Sequence, residues 1–308
     1  MRNDSKNPPD TSPHYLKSVN RAIDHIVRNL DQPLNLDAIA KVACFSSFHF
    51  HRIFSALMGE TLNQFVRRLR LERALWMLSH QGPRSLTDIS LACGFASLSD
   101  FSRRFKDKYG VPPSEFNLDQ FRQNKRDELD AALCSHDSNH HLYTLPEDGR
   151  ADDFAVELRQ LPARRVAYLR VLDPYRVGIV TGAAERFVAW AKERGLADGQ
   201  WLGYMWDDPE IVEFKDCRYD VGLEVDALEP EGEIGVIEFP PMTVAQIEVR
   251  GPIQVEMAAM EWLFKTWLPN SRHVPADHPF FEAWIGRPFQ HGMEHFELYV
   301  QIPVIPAR

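Results

Sequence analysis

No run in these 308 residues approaches the ~20 consecutive apolar residues that a membrane-spanning helix requires, so nothing here spans a bilayer as a helix. The opening Met1-Arg2-Asn3-Asp4-Ser5-Lys6 lacks the apolar stretch of a signal peptide, and a cytoplasmic location is expected. Cysteine is scarce. Cys44, Cys93, Cys134 and Cys217 lie far apart, with no pair at metal-ligand or redox spacing, which argues against a disulfide framework or a zinc site. Cys44 and Cys93 fall within apolar helical patterns and read as small buried hydrophobes. A Ser/Cys–His nucleophile pattern, a glycine-rich phosphate loop and a metal cluster are all missing, so no catalytic residue, metal or cofactor is assigned. Positive charge is also short overall, with 35 Lys+Arg against 44 Asp+Glu and a net charge of −9. The average hides a split: residues 1–121 hold 16 basic and 12 acidic side chains, whereas 122–308 hold 19 and 32. A mildly basic first third joined to a strongly acidic remainder suggests separate jobs.

What is present in residues 13–121 is helical periodicity. Leu16, Val19, Ile23, Ile26, Val27 and Leu30 share one face at 3.6-residue spacing, and Asp31-Gln32-Pro33 ends that helix. Leu36–Ala43, the turn Cys44-Phe45-Ser46 and Ser47–Phe54 then form a short helix, a serine-capped turn and a second helix. The unit recurs as Leu86–Cys93, Gly94-Phe95-Ala96 and Ser97–Phe105. Phe50, Arg52, Phe54, Gly59 and Phe65 find counterparts 51 residues later at Phe101, Arg103, Phe105, Gly110 and Phe116, and the copies differ by one residue in the turn. A helix from about Leu62 to Ser79 joins them.

These residues resemble the DNA-binding domain of the AraC family of bacterial regulators, and most specifically so in Gly94-Phe95, Phe101-Ser102-Arg103-Arg104-Phe105-Lys106 and Tyr109-Gly110-Val111-Pro112-Pro113-Ser114-Glu115-Phe116. The resemblance implies two recognition helices entering successive major grooves, which lie roughly 34 Å apart on one face of duplex DNA. Arg52 and Arg103, at equivalent positions, are the leading candidates for base contact. Ser47, Phe48, His51 and Ser99 accompany them, Phe48 being suited to a thymine methyl group. Arg104, Lys106 and Lys108 suit phosphates. Asp100 is unhelpful near phosphate, so the second helix is expected to read less sequence. His49 and His51, two apart, do not have the spacing for shared metal ligation.

Residues 122–152 read as a linker whose first part extends the last helix and whose remainder is a tether, with His140-His141 as solvated loop residues. Beyond it, strand patterns at 154–158, 165–171, 201–206, 218–225, 234–239, 243–249 and 295–302 alternate with helices at about 177–192 and 253–267. Leu161, Pro162, Val166, Ala167, Leu169, Val171, Pro174 and Val177 each have a counterpart 78 residues later, from Phe239 to Val255. The expected fold is therefore multidomain: an all-α double helix-turn-helix domain (13–121), then an α+β domain (153–308) of two strand-helix-strand-strand repeats in an antiparallel sheet with helices on one face.

Leu161-Pro162-Ala163-Arg164-Arg165-Val166-Ala167-Tyr168, Gly251-Pro252-Ile253 and Phe296-Glu297-Leu298-Tyr299-Val300-Gln301-Ile302-Pro303 resemble the GyrI-like effector domain, of the gyrase-inhibitor and right-origin-binding-protein type. Two residues more than that family usually has separate Tyr299 from Pro303. The resemblance implies a cleft that binds amphipathic, often cationic molecules, with Glu297 mapped by motif onto the family's buried glutamate. Alternation puts Glu297, Tyr299 and Gln301 on one strand face. Tyr168, Tyr204, Trp206, Phe281 and Trp284 are candidate aromatic walls. The sequence thus reads as a ligand-responsive transcription regulator, by resemblance an activator. Its expected partners are promoter DNA, a small amphipathic and cationic effector, and RNA polymerase, with no membrane association. The alternative is a GyrI-like hydrolase with Glu297 and Tyr299 as acid and base.

Overall fold

The computed structural model describes residues 13–80, 84–134, 154–292 and 294–307. The opening hexapeptide, His140-His141 and the tether portion of the linker lie outside those residues. Among the described residues two compact units emerge: 13–74, 84–115 and 229–235, and 75–80, 116–134, 154–228, 236–292 and 294–307. No described helix is long and apolar enough to cross a membrane.

The first unit is helical. α1 (Pro13–Arg28) buries Val19, Ile23 and Ile26, the stripe that its periodicity predicts. α2 (Leu36–Val42) and α3 (Ser47–Met58) form the first helix-turn-helix, and α5 (Leu86–Ala92) and α6 (Leu98–Tyr109) the second. The two units are built by the same devices. Ser46 and Ser97 accept hydrogen bonds from the backbone N–H three residues on, at 3.4 and 3.1 Å, and Gly59 and Gly110 close the second helices in the left-handed region.

Each turn also holds a left-handed residue, Cys44 (φ 60°) in the first copy and Gly94 (φ 78°) in the second. Cys44 is exposed, contrary to its reading as a buried packing residue: it stands in the turn, past the end of α2, and outside the core built on Phe50 and Phe54. Cys93 and Cys217 are buried. At Gly94 the position is closed to any side chain, since a Cβ would stand 2.4 Å from the Leu30 carbonyl oxygen.

α4 (Leu62–His80) carries the joining role. Its buried positions include Leu62, Phe65, Val66, Leu69, Leu71, Ala74, Leu75 and Met77, more than one face, because core lies on several sides of it. Its Arg70 donates to the carbonyl oxygens of Leu30 (2.9 Å) and Gln32 (2.7 Å), which ties it to the end of α1. Glu72 binds Lys108 of α6 at 3.1 Å, so Lys108 serves the fold as well as the surface.

In the second unit, α7 (Leu118–Cys134) continues through the first part of the expected linker. Arg122 and Arg126 both bind Glu210, Arg126 also reaches Glu261 at 3.2 Å, and Lys125 binds Glu213 at 2.7 Å.

The sheet contains β1 (Glu157–Leu161), β2 (Arg164–Leu172), β3 (Trp201–Met205), β4 (Arg218–Glu224), β5 (Ile234–Phe239), β6 (Met242–Gly251), β7 (His273–Pro275), β8 (Phe280–Trp284) and β9 (Phe296–Pro306). Its order is β1-β6-β9-β8-β3-β4-β2-β5, with β7 beside β9. The two halves are thus related by a pseudo-twofold between β3 and β8. α8 (Ile179–Glu193) and α9 (Ile253–Trp262) occupy equivalent places.

Each strand-helix-strand-strand repeat is preceded by one further strand, and the second also carries the short β7 between its helix and β8. The extra first strands are exchanged: β1 lies on β6 of the second repeat, and β5 lies on β2 of the first. β1 starts three residues later than the alternation at 154–158 predicts. β8, which alternation had not revealed, is buried on both sides at its centre. The two extra residues between Tyr299 and Pro303 lengthen β9 without breaking its register, for Thr243↔Val304 through Gly251↔Phe296 run unbroken.

Candidate DNA interface and buried carboxylate site

The exposed faces of α3 and α6 carry most of the expected DNA-contact residues. Phe48 (68% exposed), His51, Arg52, Ser99, Arg103 and Lys106 are exposed; Ser47 and Arg104 are half-buried. Inward on the same helices lie Phe50, Phe54, Phe101 and Phe105, all at 0% exposure. A helix so anchored by two aromatics one turn apart has its outer face fixed.

The Arg52 guanidinium sits 5.9 Å above the Phe48 ring. Ser47 donates to Asp37, which fastens α3 to α2. On α6, Asp100 accepts from Arg103 at 2.9 Å and from Arg104 at 2.8 Å. Partial burial raises the Asp100 pKa, but the hydrogen bonds and charges of the two arginines outweigh it and hold the carboxyl below its usual range. Asp100 therefore aims two arginines and leaves the group a net positive charge, which is a different part from the purely unhelpful one expected of it.

In the second unit, strand pairing sorts the expected effector residues onto faces. Tyr168, Tyr204, Phe281, Glu297 and Tyr299 share the face opposite the helices, with Trp206 beside them. Tyr168, Tyr204 and Phe281 are buried there. Glu297 is not a lone carboxylate at the floor of an aromatic cleft: its side chain is 22% exposed and sits 3.1 Å from Arg250 and 3.4 Å from His295. Tyr299 donates to Glu248 at 3.2 Å, and Arg250 binds Glu248 at 2.7 Å. Glu297 and Tyr299 thus belong to a charged ladder across β6 and β9.

Trp284 lies on the other face, beneath the helices, and there it joins a group that alternation and motif matching missed. Glu282 of β8 (7% exposed) accepts from the Tyr219 hydroxyl at 2.7 Å and shares a hydrogen bond with Glu256 of α9 (4% exposed). Trp284 lies close enough to both Glu282 and Tyr219 to lower their pKa values against the effect of burial. Burial, together with the neighbouring carboxyl, pushes the Glu256 pKa far up, and burial pushes Glu282 up as well. Two carboxyls in hydrogen-bond contact in a dry site hold a shared proton between them.

Room for the group comes from Gly203, opposite Glu282 on the β3–β8 ladder, where a Cβ would fall 2.0 Å from the Tyr219 oxygen and 2.5 Å from Glu282 Oε2. The cover over it is irregular: α9 ends at Trp262, and Leu263–Trp267 follow as a π-helical turn, a geometry common at functional sites. The signal in the sequence was a charged residue inside the apolar run Phe280-Phe281-Glu282-Ala283-Trp284.

Residues 39–118 match the helix-turn-helix domain family, and residues 154–305 match the GyrI-like small molecule binding domain. The regulatory protein SoxS of Salmonella typhimurium is 32% identical over 98 residues, 32% of this chain and 91% of SoxS. The chain belongs to the AraC-type family of helix-turn-helix regulators. Another AraC-type relative, the uncharacterized HTH-type transcriptional regulator YbfP of Bacillus subtilis, is 35% identical over 103 residues; the match spans 33% of this chain but only 35% of that protein. A solved AraC-type transcriptional regulator from Chromobacterium violaceum has 31% identity over 32% of this chain and 87% of its own, with a TM-score of 0.30. In this AraC-type chain, the GyrI-like match spans all nine strands of the second unit except the last residue of β9.

Proposed function

We propose that this AraC-type protein is a sequence-specific, double-stranded-DNA-binding transcription regulator whose GyrI-like domain takes a small amphipathic cation. The observation that carries the DNA half is the repetition: Arg52 and Arg103 stand at the same outward place on two helices anchored by the same pairs of buried phenylalanines. Ser47, Phe48, His51, Ser99, Arg104 and Lys106 surround them. The DNA-binding region is taken as 13–121 and the effector domain as 153–308. RNA polymerase is the expected protein partner, and the cytoplasm the expected location. SoxS and YbfP are named as regulators, which favours regulation over hydrolysis.

For the effector half, the Glu256–Glu282–Tyr219 group supports a cation better than Glu297 does. A cation entering beside Glu282 would displace the shared proton and gain a carboxylate already stripped of water, whereas at Glu297 it would have to compete with Arg250. Trp284 supplies an aromatic wall. Entry requires α9 to yield, and the π-helical turn is where it is weakest.

Duplexes selected from a random pool by the full chain test the first half. Arg52→Ala and Arg103→Ala should each cost about 1–3 kcal/mol on the selected site, with Arg52→Ala relaxing base preference more. Unchanged binding by both variants defeats the assignment. For the second half, calorimetry with benzyltrimethylammonium should show Glu282→Gln weakening binding at least tenfold and Glu297→Gln leaving it unchanged. The reverse order would return the site to Glu297.

A further inference from the structure

The sheet face turned away from the helices holds three arginines whose side chains are almost wholly enclosed, and two of them are used alike. Arg170 places Nε and Nη2 on the carboxylate of Asp220 at 2.9 and 2.7 Å; Arg218 places the same two nitrogens on Asp207 at 2.8 and 2.7 Å. That edge of a guanidinium is a planar fork whose two parallel N–H groups match the two oxygens of a carboxylate.

Arg164, at the start of β2 and 7% exposed, has its guanidinium 4.7 Å above the Phe281 ring. Its Nε and Nη2 are both buried, and among the described residues neither has a hydrogen-bond partner. The fork that its two neighbours fill with aspartate is therefore empty here. An arginine keeps its charge at any pH a protein survives, so burying it unpaired is costly.

The surroundings point to the rest of a ligand. Tyr204, 1% exposed, is near enough for the Arg164 charge to act on it, and its hydroxyl is buried with no hydrogen-bond partner among the described residues. Its ring stacks on Phe239 at 4.7 Å and meets Phe281 at 5.2 Å. Two forked donors, a further unpartnered donor on Tyr204 and flat apolar walls describe an acceptor for a negative, planar head on an apolar body.

We propose that this face is a second small-molecule site, of opposite sign to the buried carboxylates beneath the helices, and that it takes an amphipathic carboxylic acid. The carboxylate would lie in the Arg164 fork, accept from the Tyr204 hydroxyl, and leave its hydrocarbon part against Phe281, Tyr204 and Phe239. The cation–π contact that now holds Arg164 over Phe281 keeps the fork poised in the absence of the acid.

The test is calorimetry on the full chain with 2-naphthoate and with its uncharged analogue 2-naphthamide. The expected result is naphthoate binding at least tenfold tighter than naphthamide. Arg164→Gln should remove that preference, Arg164→Lys should recover only part of it because an ammonium offers no fork, and Tyr204→Phe should weaken naphthoate about threefold. Arg164→Gln should leave benzyltrimethylammonium binding unchanged, which separates this site from the one at Glu282.

Thermal unfolding without ligand guards against a purely structural role. An unpaired buried cation predicts that Arg164→Gln keeps or raises Tm, and that naphthoate raises the wild-type Tm. Equal affinity for acid and amide, or a naphthoate affinity indifferent to Arg164→Gln, would overturn the proposal. So would a Tm several degrees lower in that variant, since Arg164 would then be serving the fold.

Discussion

Gly94 shows how much of this fold rests on single atoms. Its φ of 78° is in the left-handed region, and its α-carbon faces the Leu30 carbonyl so closely that a methyl group would stand 2.4 Å from that oxygen. The same crevice holds the Arg70 guanidinium, which bonds the carbonyls of Leu30 and Gln32. Gly94→Ala should therefore destabilise the first unit by more than about 2 kcal/mol, strain in φ adding to displaced hydrogen bonds. Urea unfolding measures it, and a loss below ~1 kcal/mol would show that the turn yields freely. Cys44 holds the matching position in the first copy, exposed, and Cys44→Gly should be neutral or mildly stabilising there. Glu282 and Gly203 were harder to see in the sequence. A glutamate in an apolar run looks like an interruption until Tyr219, Glu256 and Trp284, from three other stretches of chain, are brought around it. Glu297, by contrast, stood out by motif and by alternation, but alternation cannot tell which basic neighbours share its face.

At the level of elements, the periodicities that repeat locally were legible and the ones set by distant strands were not. α1, α3, α4 and α6 follow from 3.6-residue spacing, and α3 and α6 also from their Ser and Gly caps. The identity of β1 as an exchanged strand depends on β6, 81 or more residues away in the ladder that pairs Leu161 with Met242, and nothing local encodes it. The end of α4 gives an element-scale prediction. His80 accompanies Trp76 on α4 at 5.5 Å and meets Phe264, in the π-helical turn after α9, at 5.4 Å. Burial, helped by the charge of Arg122, lowers its pKa to about 4 from an ordinary 6.5. The folded protein thus keeps His80 neutral where the unfolded chain would protonate it. Stability from this group is present above pH 6.5 and is lost as the pH falls toward 4, by roughly 3 kcal/mol at most. Urea unfolding at pH 7 and pH 4.5 should show wild type losing more than His80→Phe. Equal losses would mean that the ring is hydrated in solution and that the packing of α4 against the π-helical turn is loose.

For the whole molecule, the net charge of −9 predicts repulsion from DNA, and the proposed interface predicts the opposite. The charges next to the contact decide between them. At 0.15 M salt charges separated by more than about 8 Å in water are largely screened, so the side chains on α3 and α6 themselves weigh more than the net charge of the chain. What DNA meets there is local: exposed Arg52, Arg103 and Lys106, with Arg104 half-buried, the carboxylate of Asp100 held between two of the arginines, and an exposed Asp107 one turn on from Arg103. If these four cations neutralise four phosphates, counterion release gives a slope of about −3.6 in log affinity against log salt, and binding should fall on the order of a hundredfold from 50 to 200 mM. Lys106→Ala should reduce that slope by about 0.9 and weaken all sequences alike, whereas Arg52→Ala should act chiefly on the selected site. Fluorescence anisotropy across that salt range reads both. A slope near zero would mean that the acidic half governs the encounter after all, and a slope far steeper than −3.6 would mean that cations beyond these two helices reach the backbone.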